Sequence, residues 1–189
     1  MRVTRPALVA AVAAAFTLAA CGGSSGVSAS DYVHQVCTAV QSYETQLQSQ
    51  STQIQSQLQS TVASGNYQAV KTQLTTFFTN IINETSSAKD KINKAGKPKV
   101  KNGDKVQSTL TNDFQKLQDS LTQAKTKLQS FDPNSKSFVT NLESLGSQIS
   151  SAGSSIGSSL ESSSALGNGD LDSAANKDAT CKKIENSSS

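Results

Sequence analysis

Apolar residues recur three or four positions apart over four long stretches of this chain, with polar residues filling the intervals. In the first stretch Val33, Val36, Val40, Tyr43, Leu47, Ile54, Leu58 and Val62 fall at intervals of 3, 4, 3, 4, 7, 4 and 4, the spacing of one apolar stripe on a packed helix. A strand would collect its apolar residues on one parity. Leu47 is odd while Ile54 and Leu58 are even, so the Gln-rich segment QLQSQSTQIQSQLQS reads as helix and not as a strand or a prion-like tract. Gln50 and Ser51 interrupt the stripe, and Ser30-Asp31 offers its N-cap.

Gly65-Asn66 marks a turn. The second stretch carries Val70, Leu74, Phe77, Phe78, Ile81, Ile82, Ala88 and Ile92, the widest apolar face in the chain, and Gly96 with Pro98 ends it. Asp104 is placed to cap a third helix with Val106, Leu110, Phe114, Leu117, Leu121, Ala124, Leu128 and Phe131 in the most regular heptad of the four. After the stop at Asp132-Pro133-Asn134, with a restart at Asn134 or Ser135, a fourth helix shows Phe138, Leu142, Leu145, Ile149, Ala152, Ile156 and Leu160. It is the weakest, because Gly146, Gly153 and Gly157 each cost roughly 1 kcal/mol relative to alanine. SSSALGNGD loosens or ends it before a last short helical piece reaches Cys181. Four amphipathic segments joined by short connections predict an all-α fold, an up-down-up-down four-helix bundle over 30–185 with a tail at 186–189. Its expected length is roughly 40 to 50 Å.

The first 20 residues do not belong to that pattern. Arg2 and Arg5 precede an almost wholly apolar run from Ala7 to Ala20, which has the layout of an export signal and is shorter than the roughly 20 residues of a permanent membrane span. The residues Leu18-Ala19-Ala20-Cys21, followed by Gly22-Gly23-Ser24-Ser25-Gly26, resemble the lipobox of bacterial lipoproteins. That resemblance implies removal of 1–20, a diacylglycerol group on Cys21 as the new first residue, and a Gly/Ser tether over 21–29. It also implies a location on the outer face of the cytoplasmic membrane, with the membrane as partner through the lipid. A cysteine early in the first helix, AGKPKVKNG before the third and ATCKKI near the end are similar to the small secreted lipoproteins of actinobacteria, which supply an address and not an activity.

Removal of the signal would leave 169 residues in which 15 lysines face 14 acids, a formal charge of +1. A nucleic-acid binder needs a larger basic excess, so that class is excluded. Leu, Ile, Val and Phe number 33 of those 169, close to the roughly 20% at which disorder becomes a concern, but disorder usually needs high net charge as well. With Cys21 acylated, Cys37 and Cys181 remain as a pair for an oxidising compartment. The bundle topology places both at the end where helix 1 begins, so they are expected to form a disulfide.

The same topology gathers charge. Lys89 to Lys105 holds seven lysines and two aspartates, and the connection between helices 2 and 3 lies beside the tether. A flexible nine-residue linker spans only about 15 to 18 Å on average, so Lys94, Lys97, Lys99, Lys101, Lys105, Lys182 and Lys183 are expected to form a membrane-facing basic patch. A solvated loop is the competing reading.

Enzyme signals are poor. His34 is the sole histidine, in the first turn of helix 1 and outside any motif; an interhelical or surface position explains it. The five glutamates include none three residues from a histidine, so the inward metal pairs of bundle enzymes are missing, and no catalytic residue, metal or cofactor is assigned. Gly153-x-x-x-Gly157 sits among serines, where small residues let helices approach. The 32 serines, 17 threonines and 17 glutamines give a polar, weakly charged surface, and Asp31 to Ala63 carries no Asp, Glu, Lys or Arg other than Asp31 and Glu44. The expectation is a non-enzymatic, lipid-anchored bundle that presents a surface to a protein or cell-wall partner. The alternative is a carrier of a small apolar ligand held between Phe77, Phe78 and the facing helix.

Overall fold

Among the described residues, three-and-four spacing produces helices wherever it was read. The computed structural model describes residues 26–149 and 169–187; the signal-like run, Cys21, the start of the tether, Gly153, Gly157, Ile156, Leu160 and the last two residues lie outside them. The described residues are all helical, without a β-strand: α1 Ala29–Ala63, α2 Tyr67–Lys94, α3 Gly103–Ser130, α4 over 138–149, α5 Gly169–Ala175 and α6 Ala179–Ser187.

The ends of these helices differ from expectation in two places. Helix α1 starts at Ala29, not at Ser30-Asp31, because Ser28 is the better cap: its Oγ accepts from Asp31 N (3.1 Å) and donates to Asp31 Oδ2 (2.7 Å). Asn102, in the left-handed region at φ 61°, holds the N-cap position of α3 without a side-chain capping hydrogen bond, and Asp104 lies in the first turn, where it pairs with Lys97 at 2.9 Å. The α1–α2 turn is as read. Gly65 adopts φ 70° and Asn66 N donates back to Thr61 O (3.2 Å), while Asn66 Oδ1 caps α2 through Ala69 N (3.1 Å).

Helix α2 packs against both α1 and α3, and α5 and α6 pack against α1. Two apolar clusters run along this assembly. The basal one joins Tyr32 and Ala39 of α1 to Ala88 and Ile92 of α2 and to Val106, Leu110 and Phe114 of α3, with Leu171 of α5 against it. The distal one joins Phe78 and Ile81 of α2 to Leu121, Ala124 and Leu128 of α3 and Leu145 of α4. The start of α1 thus meets the end of α2 and the start of α3, so successive long helices are antiparallel. At about 1.5 Å per residue α1 is roughly 50 Å long.

Two buried polar residues sit inside the stripes. Thr85 is fully buried and occupies the slot between Ile81 and Ala88; its hydroxyl donates to Ile81 O (2.8 Å) and lies 3.5 Å from Tyr43 Oη. Asp113 is buried on α3, one heptad beyond Val106, with Lys116 on one oxygen at 3.2 Å. Elsewhere the abundant hydroxyls turn inward along their own helices, as when Thr72, Thr75, Thr79, Thr122 and Thr126 donate to the carbonyl four residues earlier. This satisfies the hydroxyls without a tertiary partner. Lysine cross-links hold α2 to α3: Lys89 Nζ reaches Gln115 Oε1 (2.6 Å) and Gln118 Oε1 (2.9 Å), and Lys71 Nζ donates to Gln129 O and Phe131 O (both 2.7 Å) at the C-terminus of α3.

Of the stripe expected on α1 only Val33 is buried; Val36, Val40, Tyr43, Leu47, Ile54 and Leu58 are half-buried and Val62 is 48% exposed, while Tyr32 and Ala39, outside that stripe, are buried. Ile92→Ala, at 0% exposure, is therefore expected to lower unfolding free energy by about 2 to 5 kcal/mol. Val62→Ala should stay within about 0.5 kcal/mol. Urea titration of the two variants side by side measures the contrast.

Candidate functional site

The basal end carries the chemistry of this chain. Cys37 in α1 and Cys181 in α6 form a disulfide, with an S–S distance of 2.06 Å and Cα atoms 5.2 Å apart across 144 residues of sequence. One turn before each cysteine lies a second connection between the same helices. His34 Nδ1 meets Asp178 Oδ2 at 2.8 Å. Asp178 also caps α6, its Oδ1 accepting from Thr180 N (2.8 Å) and Cys181 N (3.0 Å). His34 holds the Asp178 carboxyl below its ordinary range, and the two backbone N–H groups add to the effect. The sole histidine is thus interhelical, and both oxygens of its carboxylate partner are occupied in docking α6.

The α2–α3 connection is built around close backbone approach. Val27 N donates to Lys97 O and Lys99 N donates to Val27 O, each at 2.8 Å, a parallel bridge opposite Pro98. Gly26 is required beside it, because a Cβ there would lie 2.7 Å from Lys97 O and 3.0 Å from Lys99 Cγ. Gly103 is required for the same reason, since its Cβ would run into the Pro98 carbonyl. The segment read as a free tether is therefore fastened to the lysine loop from residue 26 onward.

This fastening sorts the seven lysines. Lys94 ends α2, Lys97, Lys99 and Lys101 lie on the loop, and Lys105 is in the first turn of α3; all five are exposed. An open cleft of about 680 Å³ runs between Gly26, Lys97, Lys99, Lys101, Lys105 and Asp170. Asp104 and Asp170 temper the charge, the former on Lys97. Lys182 and Lys183 are exposed too, but they follow Cys181 and so sit near Cys37, ten residues up α1 from Val27. That is about 15 Å along the axis, which puts them on the flank and apart from the loop cluster.

Burial also perturbs two phenols. Tyr32 packs within the basal cluster, its hydroxyl without a hydrogen-bond partner among the described residues, and desolvation pushes its pKa up to about 12. Tyr43 is raised by the same cause, with Thr85 opposing, and its ring meets Phe114 edge-on at 5.9 Å. The second oxygen of Asp113 likewise lacks a partner among the described residues. Sequence reading missed Asp113; its place one heptad from Val106 was the available signal.

The expected ligand space beside Phe77 and Phe78 is occupied on one side. Phe78 is buried among the distal core residues, with the Phe77 ring 6.0 Å away. Other space exists. A 430 Å³ pocket between α3 and α4 is lined by Leu117, Leu121, Ala124 and Ile149 with Lys127 and Gln148 at its polar side, and a 230 Å³ groove separates the distal halves of α1 and α2. Among the described residues no group of three His, Cys, Asp or Glu side chains is placed to hold a metal ion, and no helix is long and apolar enough to cross a membrane. Comparison of the chain with family models, with curated proteins and with solved structures returns no match.

Two outcomes follow from this geometry. Cys37→Ser/Cys181→Ser should lose up to about 5 kcal/mol of stability, the chain-entropy value for a loop this long, read as a shift in the urea midpoint against the non-reduced parent. For Asp178 the folded pKa is depressed, so its charge-dependent contribution is present above the ordinary carboxyl range near pH 4 and is lost as pH falls through the folded value. The stability gap between parent and Asp178→Asn should be full at about pH 5 and shrink toward about pH 2. Asp178→Ala should cost about 1 kcal/mol more through loss of the cap.

Proposed function

We propose that this chain is a lipid-anchored, extracytoplasmic lipoprotein without enzymatic activity, held base-down on the membrane and offering its polar surface to a protein or cell-wall partner. The observation that carries this reading is the bridge between Val27 and the Lys97–Lys99 backbone. Gly26 lies five positions after Cys21, and five residue steps span at most about 18 Å. An acyl group on Cys21 would hold the loop lysines within about two Debye lengths of the lipid surface at physiological salt. Each lysine close to anionic lipid contributes about 1 kcal/mol, so Lys94, Lys97, Lys99, Lys101 and Lys105 would orient the body. Lys182 and Lys183 would contribute less from the flank. The disulfide fits an oxidising compartment. We read the helices as a four-helix bundle whose fourth column is shared, α4 serving the distal end and α5 with α6 the base.

A second reading is favoured by the pocket between α3 and α4, whose volume falls within the range of small-molecule sites. There the chain would carry an apolar ligand with a polar head near Lys127. Co-purifying lipid in the native protein would support that reading.

Intact-mass analysis of the membrane-extracted protein is expected to show loss of residues 1–20 and a diacylglyceryl mass on Cys21. A mature chain starting elsewhere, or an unmodified Cys21, defeats the proposal. In a soluble Cys21→Ser chain, replacing Lys97, Lys99, Lys101 and Lys105 by Gln should weaken partition onto anionic vesicles by at least tenfold at low salt, while Lys182→Gln/Lys183→Gln changes it little. Equal effects of the two sets would reject the basal orientation.

A further inference from the structure

From Thr45 to Val70 the chain has no charged side chain. The α1 side of the groove between the distal halves of α1 and α2 lies within this stretch, and its α2 side, from Thr72 to Asn80, follows Lys71. Ile54 and Phe77, both half-buried, are its apolar lining, and amides from both helices stand over them: Gln50, Gln53 and Gln57 on α1, Gln73 on α2. Asn80 and two threonines complete it. We infer that this groove is a binding site for a neutral saccharide, with one ring seated against Phe77 between the two rows of amides.

Four features lead there. First, a primary amide presents a donor and an acceptor side by side, which matches neighbouring hydroxyls, or the acetamido group of an amino sugar, better than it matches an ion. Second, few charges border the groove: Lys71 Nζ is held by Gln129 O and Phe131 O at the end of α3, Glu44 lies nearly two turns below Gln50 on α1, and Glu84 lies one turn beyond Asn80 on α2. An anionic ligand would find no counter-charge among the lining residues. Third, two amide oxygens are unspent. Gln73 Nε2 donates to Thr61 Oγ1 (3.2 Å), yet Gln73 Oε1 and Gln50 Oε1 are covered and accept no hydrogen bond among the described residues. Covered polar atoms without partners are rare and costly, and the terminal torsion of a glutamine rotates at low cost, so both oxygens can turn toward hydroxyl or acetamido donors. Fourth, the electron-rich face of an aromatic ring attracts the positive C–H edges of a sugar.

At 230 Å³ the groove is below the roughly 300 Å³ of a typical small-molecule site, which suits one or two sugar rings of a longer chain. The inference deepens the proposed wall-facing role by naming the partner class, and it rests on that reading only for its setting. The membrane-anchor measurements and the sugar measurements fail independently, since saccharide binding is read in solution and needs no acyl group.

The test uses the full-length chain, labelled with ¹⁵N and titrated with chitotriose, with maltotriose and with the anionic trigalacturonate. Saturable shifts of the Gln50, Gln53, Gln57 and Gln73 side-chain amides with a neutral trimer are expected, with chitotriose favoured if the acetamido group is read and maltotriose if hydroxyls alone suffice. Gln50→Met/Gln73→Met should weaken that binding at least tenfold, and Lys97→Gln/Lys99→Gln should leave it unchanged. A circular dichroism melt of each variant separates lost binding from lost fold; if the methionine pair is unfolded, Gln53→Ala/Gln57→Ala at exposed positions is read instead. The inference is overturned by absence of saturable shifts up to millimolar neutral sugar, by preference for trigalacturonate, or by binding that the folded glutamine variants retain.

Discussion

Docking of the last helix onto the first is the constraint on which the remaining architecture depends. Three long antiparallel helices leave an open side, and the chain must return to cover it. At the base it does so with α5 and α6 laid against α1 and fixed by the Cys37–Cys181 bond, with the His34–Asp178 pair one turn away. The covalent link acts mainly by removing conformations from the unfolded chain. The cap and charge pair act in the folded state by setting where α6 begins. The two devices are complementary, because a crosslink alone fixes proximity and leaves orientation free.

That return is needed because the apolar content is modest. The basal and distal clusters each draw on a handful of residues from several helices, and small side chains such as Ala39, Ala88, Ala95 and Ala124 fill much of the interface. Alanine permits close helix approach but buries little area, so each contributes less than a leucine would. A surface dominated by hydroxyls and amides adds few ion pairs, and exposed ion pairs contribute little in any case. The crosslink therefore supplements a small core.

The helices were legible in the sequence because apolar spacing reports burial directly. The run Val106, Leu110, Phe114, Leu121, Ala124, Leu128 is buried along α3, and the parity argument that made the Gln-rich stretch helical agrees with α1. The pairing of Cys37 with Cys181 was legible too, since antiparallel topology sends the chain ends to one pole. What escaped were details decided by three-dimensional competition. Ser28 outcompeted Ser30 as a cap because Asp31 answers it from the third helical position. Thr85 and Asp113 were passed over because polarity suggests exposure, whereas their heptad positions carried them inside. The bridge between Val27 and the lysine loop had no local signature, because a single pair of backbone hydrogen bonds between residues some 70 apart leaves no period to read.

The placement of glycine at that bridge shows why it is a built contact and not a chance one. Both Gly26 and Gly103 stand where any side chain would strike the backbone of Lys97 or Pro98, and Pro98, with no amide hydrogen, sits opposite Val27 where none is required. Three residues of restricted choice therefore converge on one short approach. Its effect is to fix residues 26–28 against the backbone of Lys97 and Lys99. The opposite pole carries no charge from Thr45 to Val70. Exposed lysines at the base and uncharged amides about 30 to 40 Å away are chemically distinct surfaces, and the backbone bridge holds residues 26–28 at the lysine-rich one.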